Sequence, residues 1–195
     1  MAFSEDSLRD MHNADLCDTL GNLLHRATNL CAQFCGGVVP DVPPPSNPPI
    51  NLTEICNAYV EKMDKLELQG GANIAIQGFR DVNRYLAEEA PWSKKGDEHA
   101  EFRQVVVRAS LESIYALSHL LLPFTPIGAS KIFKKLGKEP VRLVNLGREC
   151  RSLEVGSAIA VGDVLYSKVR GKCVVCCEWG GCGRAAIFFY FQMKP

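Results

Sequence analysis

Leu16, Leu20, Leu23, Ala27, Leu30 and Phe34 recur at intervals of 4, 3, 4, 3 and 4 residues. Only a helix brings such a set to one side, because each residue turns the chain by about 100°. The spacing predicts one long helix over residues 5–34. Ser4 or Ser7 is positioned to cap its start, and Gly36-Gly37 to end it, since glycine accepts the left-handed geometry of a helix stop.

The rest of the chain repeats this logic. Six prolines between Pro40 and Pro49 exclude helix and strand alike and predict a stiff surface connection. A second helix is predicted over 52–66, capped by Asn51 or Thr53, with Leu52, Ile55, Tyr59, Met63 and Leu66 inward. Gly70-Gly71 reads as a break. A third helix over 72–89 buries Ala75, Phe79, Val82 and Leu86, and Pro91 stops it. A fourth over 98–122 turns Phe102, Val106, Ala109, Ala116 and Leu120 to one face, with Pro123 beyond. A fifth over 126–136 has Pro126 at its first turn and Gly137 past its end. Each helix has one apolar face and short links join them, so the fold class is all-α: an antiparallel bundle of about five helices with an irregular C-terminal tail. The helical domain is placed at 1–168, with 158–166 as a short strand or extended arm. Residues 169–195 form a Cys/Gly-rich tail.

Charge and cysteine usage narrow the function classes. Lys and Arg together equal Asp and Glu, so the formal net charge is zero. A non-specific, charge-driven nucleic-acid binder is disfavoured; a binder that needs a few well-placed donors is not. No stretch approaches the length and apolarity of a membrane span, so no membrane partner is expected. The opening Met1-Ala-Phe-Ser-Glu-Asp is acidic and does not read as a signal peptide. Nine cysteines without a secretory signal read as reduced thiols, placing the protein in the cytoplasm, with an organelle as the alternative.

Asn22 and Arg26 lie one turn apart on the polar edge of the first helix, about 40° from each other. Asp15 and Asn29 are placed on the same edge. An amide and a guanidinium can bond the edge of an unpaired base and its phosphate, although the same spacing occurs on ordinary helix surfaces. Trp92 follows Pro91 ahead of a basic loop, Ser93-Lys94-Lys95-Gly96. An exposed indole there would stack on a splayed base; a buried one would plug the bundle. Asn83 and Tyr85 are candidate supports for that loop through hydrogen bonds, with plain decoration of the helix as the alternative. Lys131, Lys134, Lys135, Lys138, Arg142, Arg148 and Arg151 outnumber Glu139 and Glu149, which suggests either a polyanion contact or a solvated face. Cys173, Cys176, Cys177 and Cys182 are weak zinc candidates, because the second knuckle of a zinc signature is missing. Cys31 and Cys35 read as core fillers. No phosphate-binding glycine loop, nucleophile motif or histidine pair nominates a catalytic residue.

Four blocks share one resemblance. Phe3-Ser4, Asn13-Ala14-Asp15-Leu16 and Leu20-Gly21-Asn22-Leu23-Leu24-His25-Arg26 make the first. Asn83-x-Tyr85 with Ala90-Pro91-Trp92 makes the second. Leu122-Pro123-Phe124-x-Pro126 with Ala129, Ile132-Phe133 and Leu136-Gly137 makes the third. Gly156 to Lys168, ending Val164-Leu165-Tyr166-Ser167-Lys168, makes the fourth. In this order they resemble the C-terminal anticodon-binding domain of the methionyl-tRNA synthetase family, a class Ia aminoacyl-tRNA synthetase, over about residues 3–168.

The resemblance implies that Asn22 and Arg26 recognise the first bases of a CAU anticodon and that Trp92 is the aromatic on which an anticodon base stacks. Asn83, Tyr85 and Pro91 would support them. The implied partners are the initiator and elongator methionine tRNAs, and a separate or missing catalytic domain. The family's HIGH and KMSKS signatures are absent, so the chain is expected to be inactive alone and to hold no cofactor. ATP would serve only the full-length methionine-tRNA ligase. The alternative is a helical protein-interaction module that docks on a synthetase or other partner without reading RNA.

Overall fold

The periodic N-terminal segment folds as a single rod in three parts: α1 (Glu5–Met11), a π-helical stretch (His12–Gly21) and α2 (Asn22–Cys35). Met11, His12, Gly21 and Asn22 at the junctions all keep right-handed helical dihedrals, so the rod does not break. The structure, a computed structural model, describes residues 4–147 and 149–170. Ser4 caps the rod, its hydroxyl accepting from the Ser7 N–H. Gly36, at φ 63°, ends it, and its N–H bonds the Cys31 carbonyl. The π stretch, with its wider i to i+5 turn, buries Leu16, Cys17, Leu20 and Gly21. It was not legible in the hydrophobic spacing.

Four more helices complete the bundle among the described residues: α3 (Leu52–Asp64), α4 (Leu68–Glu89), α5 (Ala100–Leu121) and α6 (Pro126–Leu136). Two expectations at the α3–α4 turn are corrected. Leu66 is not inward: α3 ends at Asp64, and Leu66 sits in the left-handed region at φ 59° and is 80% exposed. Gly70-Gly71 does not break the chain but lies in the first turn of α4. A Cβ on Gly71 would fall 2.7 Å from the Met63 Sδ, and one on Gly70 3.1 Å from the Lys62 Cδ. The pair lets the start of α4 pack tightly on the end of α3.

The fourth helix also differs. A single-turn 3₁₀ segment (Asp97–His99) precedes α5, and every residue of α5 from Val106 to Leu121 is buried. It is the central rod, with α2, α3, α4 and α6 around it. Most of its buried polar side chains are therefore satisfied internally, although the Arg108 Nε has only an ion pair with Glu112 at 3.7 Å. Ser110, Ser113 and Ser118 each donate to the carbonyl four residues back. Arg108 donates to the Pro40 carbonyl at 2.6 Å, which fastens the proline segment. The buried Glu112 accepts from the Ser152 and Leu153 N–H groups at 2.7 and 3.1 Å. Burial pushes the Glu112 carboxyl up, while those two N–H groups and Arg108 pull it back.

After α6 the chain runs back over the bundle as an extended arm, with one isolated antiparallel bridge, Val38 to Ala158, in place of a strand. Val39 and Ser157 share a backbone bond, as do Ile159 and Gly37, and Ala160 and Lys135. The described part of the arm reaches the N-terminal rod. Asn13 holds Val169 from both sides, donating to its carbonyl at 3.0 Å and accepting from its N–H at 2.9 Å. Lys168 pairs with Asp18 at 2.8 Å. No described helix is long and apolar enough to cross a membrane.

Gly128, in the first turn of α6, is where Tyr166 of the arm presses in: a Cβ there would overlap the Tyr166 hydroxyl. Gly128→Ala is expected to destabilise the fold by about 1–3 kcal/mol in a urea titration, the usual range for overpacking. Tyr166→Phe in the same chain should recover part of that loss, because it removes the overlapping oxygen.

His119 bridges α5 to the following segment as a neutral ring. Its Nδ1 lies 2.9 Å from the Tyr115 carbonyl, and its Nε2 accepts from the Val141 N–H at 3.1 Å. Burial lowers its pKa below the ordinary 6.5. The unfolded chain therefore takes up this proton first, and stability contributed by the neutral ring is lost as pH falls below 6.5 toward the lowered value. Thermal melts from pH 7.5 to 5 should show this decline, and His119→Gln should flatten it.

Candidate nucleic-acid interface

The polar edge of α2 and the loop after α4 meet at one end of the bundle. The register that brings them together is set further down. Asn83 on α4 donates to the Thr19 carbonyl at 2.9 Å, and Arg80 pairs with Asp15 at 2.6 Å. These two contacts hold α4 alongside the π stretch just ahead of Asn22. Asp15 is thus engaged with α4, not free on the Asn22–Arg26 edge, because the wider turns of the π stretch separate it from the α-helical spacing that follows.

Asn22 opens α2 and is exposed; its backbone N–H continues the helical bonding to the Cys17 and Thr19 carbonyls, while its side chain takes no hydrogen-bond partner among the described residues. Its amide keeps two donors and an acceptor open to a ligand. Arg26, one turn on, is half-buried, and its guanidinium carbon lies 5.1 Å from the centre of the Trp92 ring. That is a cation–π distance. Trp92 is 42% exposed, so its indole is no core plug. Asn22, Arg26 and Trp92 form one surface: an open amide, a cation and an accessible aromatic face.

The Trp92 loop begins with a left-handed residue. Ala90 caps α4 at φ 40° and ψ 59°, which the proline at 91 favours by disallowing a further right-handed residue. Pro91 itself is buried. The Ser93 hydroxyl and N–H both bond the Ala90 carbonyl, at 2.7 and 2.9 Å. Further along, Arg103 on α5 donates to the Lys94 and Gly96 carbonyls. Lys94 in turn places its ammonium 3.6 Å from the centre of the Phe102 ring.

Two supporting roles are different from those expected. Asn83 does not reach the Trp92 loop; its amide is spent on Thr19 and on the Phe79 carbonyl within its own helix. Tyr85 points into the core, 7% exposed, and burial, helped by the Glu89 charge, pushes its hydroxyl pKa up to about 12. It supports the site by packing. Arg103, which does hold the loop, was missed: one arginine in the first turn of a helix carries no spacing signal.

The basic segment is partly engaged with the rest of the fold. Lys131, Lys134 and Arg142 are exposed, Lys138 pairs with Glu154 at 2.9 Å, and Arg151 donates to the Val42 carbonyl. Arg148 lies outside the described residues, as do the zinc candidates Cys173, Cys176, Cys177 and Cys182. Cys31 and Cys35 are both in the core. A cleft of about 400 Å³ between the proline segment, Arg108, Glu112 and Arg151 contains none of the three surface residues.

A family model described as the anticodon binding domain of methionyl tRNA ligase matches residues 49–175. The methionine–tRNA ligase of Thermotoga maritima is 27% identical over 176 residues, covering 87% of this chain and 28% of the relative. That of Mesorhizobium japonicum is 30% identical over 139 residues, covering 69% of the chain and 27% of the relative. The chain thus spans well under a third of the length of these curated relatives. The free-state Mycobacterium tuberculosis methionyl-tRNA synthetase shares the fold with a TM-score of 0.70 at 19% identity, over 87% of this chain and 35% of that one.

Proposed function

Because the chain belongs to the family of methionyl-tRNA ligase anticodon-binding domains, we propose that it reads a CAU anticodon with Asn22, Arg26 and Trp92. The observation that carries this reading is the approach of Arg26 to Trp92 at 5.1 Å, from two elements distant in sequence. It gathers a base-stacking surface and a hydrogen-bonding edge at one place, beside the open amide of Asn22. An unpaired base presents both a π-face and a donor–acceptor edge, so stacking on Trp92 with edge contacts from Asn22 and Arg26 uses each side chain for what its chemistry allows.

The partners would be the initiator and elongator methionine tRNAs, which share that anticodon. Recognition selects the tRNA; joining methionine to it at the expense of ATP requires a catalytic domain with its own nucleotide site, and among the residues of this chain no motif supplies one. The domain would therefore act as the specificity-bearing portion of a methionine-tRNA ligase in the cytoplasm. A docking module that reads no RNA is not favoured by the family to which the chain belongs.

In a gel-shift assay the chain should retard a tRNA with a CAU anticodon in preference to one with a scrambled anticodon. Trp92→Ala should weaken the CAU complex by roughly 1–3 kcal/mol, the value of a base–aromatic stack. Asn22→Ala should reduce the preference between the two RNAs. Equal retardation of both by the unaltered chain contradicts the reading.

A further inference from the structure

Trp92 can present a fixed stacking face only if the loop that carries it is itself fixed. The loop runs from Pro91 to Gly96, between the cap of α4 and the 3₁₀ turn that begins at Asp97, and Trp92, Ser93, Lys95 and Gly96 are exposed. Its first half is closed by the Ser93 bonds to Ala90. Among the described residues its second half has one anchor to the bundle by side-chain hydrogen bonds: the Arg103 guanidinium. Nη1 of Arg103 donates to the Lys94 carbonyl at 2.7 Å and to the Gly96 carbonyl at 2.8 Å.

We propose that Arg103 is a positioning residue for anticodon reading, clamping the 94–96 stretch so that Trp92 is held ready to stack; this rests on the reading site proposed above. Three features suit it to the task. The guanidinium carbon lies 5.2 Å from the centre of the Phe34 ring, so the end of α2 backs the planar group that grips the loop with a cation–π contact. Phe34 and Arg26 both belong to α2. One helix therefore supplies both the cation that meets the indole and the platform under the clamp, and the loop is gauged against the same rod at two points. The Nε of Arg103 is buried without a hydrogen-bond partner among the described residues. A guanidinium half withdrawn from water in this way suits a group holding a fixed position better than a solvated surface charge. Arg103 does not touch the RNA in this account; it acts through Trp92.

The test separates the clamp from the reading site. In a Trp179→Phe background, Trp92 is the single tryptophan, since the chain has two. Arg103→Ala should raise acrylamide quenching of Trp92 about twofold, with the helical circular dichroism retained. In the otherwise unaltered chain, the same substitution should weaken binding to a CAU anticodon stem-loop about fivefold, part of the stacking contribution. In a Trp92→Ala chain it should cost less than about twofold, because residues acting through one contact are not additive. Arg103→Lys, which keeps charge and stem but not the planar fork, carries the same comparison if the alanine variant fails to fold. Unchanged quenching, or an equal loss of binding with and without Trp92, overturns the proposal. If quenching rises but Trp92→Ala leaves RNA binding intact, the clamp stands and the anticodon reading falls.

Discussion

The fold depends on a helix that has no outside. Once α5 is buried all round from Val106 to Leu121, its charged and polar side chains are driven to find partners within the protein, because an unpaired buried charge or donor is far more costly than an exposed one. Those partners are what organise the periphery. Arg108 draws in the proline segment at Pro40, Glu112 receives the arm at Ser152 and Leu153, and His119 takes the Val141 N–H. Segments without regular structure are thereby tied to the centre of the bundle, and the arm is carried on to the N-terminal rod, where Asn13 grips Val169.

The candidate site is the surface consequence of the same packing. With α2 and α4 both laid along α5, the register between α4 and the N-terminal rod, set by Asn83 on Thr19 and Arg80 on Asp15, brings the end of α4 level with Arg26. The loop that follows must leave α4 through a left-handed Ala90 and enter α5 past Arg103. Trp92 is exposed because both ends of its short loop are tethered inward while its side chain is not.

Much of this was legible in the residues. Where hydrophobic period and punctuation agree, as at Gly36, Pro91 and Gly137, the predicted helix ends match. The misses have physical causes. A π-helical turn differs from an α-turn in hydrogen-bond register, and the leucines of the first rod fit either. Gly70-Gly71 has the composition of a turn, but its neighbours Lys62 and Met63, which make it a packing feature, are brought there only by the fold. Leu66 fits the period of α3, yet the helix has already ended. Helical spacing already placed Asn22 and Arg26 on one edge, but their proximity to Trp92 could come only from tertiary structure or resemblance. Arg103 was invisible because its importance lies in two backbone carbonyls across a loop, and carbonyls leave no mark on a sequence.

The central claim is that one surface formed by Asn22, Arg26 and Trp92 meets the anticodon. The most direct measurement is a nuclear magnetic resonance titration of the labelled protein with CAU and scrambled anticodon stem-loops, following the Asn22 amide, the Arg26 guanidinium and the Trp92 indole. The account predicts that these three side chains shift together, at a common RNA concentration, and much more for CAU. Large shifts centred instead on exposed Lys131 and Lys134 of α6, equal for both RNAs, would contradict it.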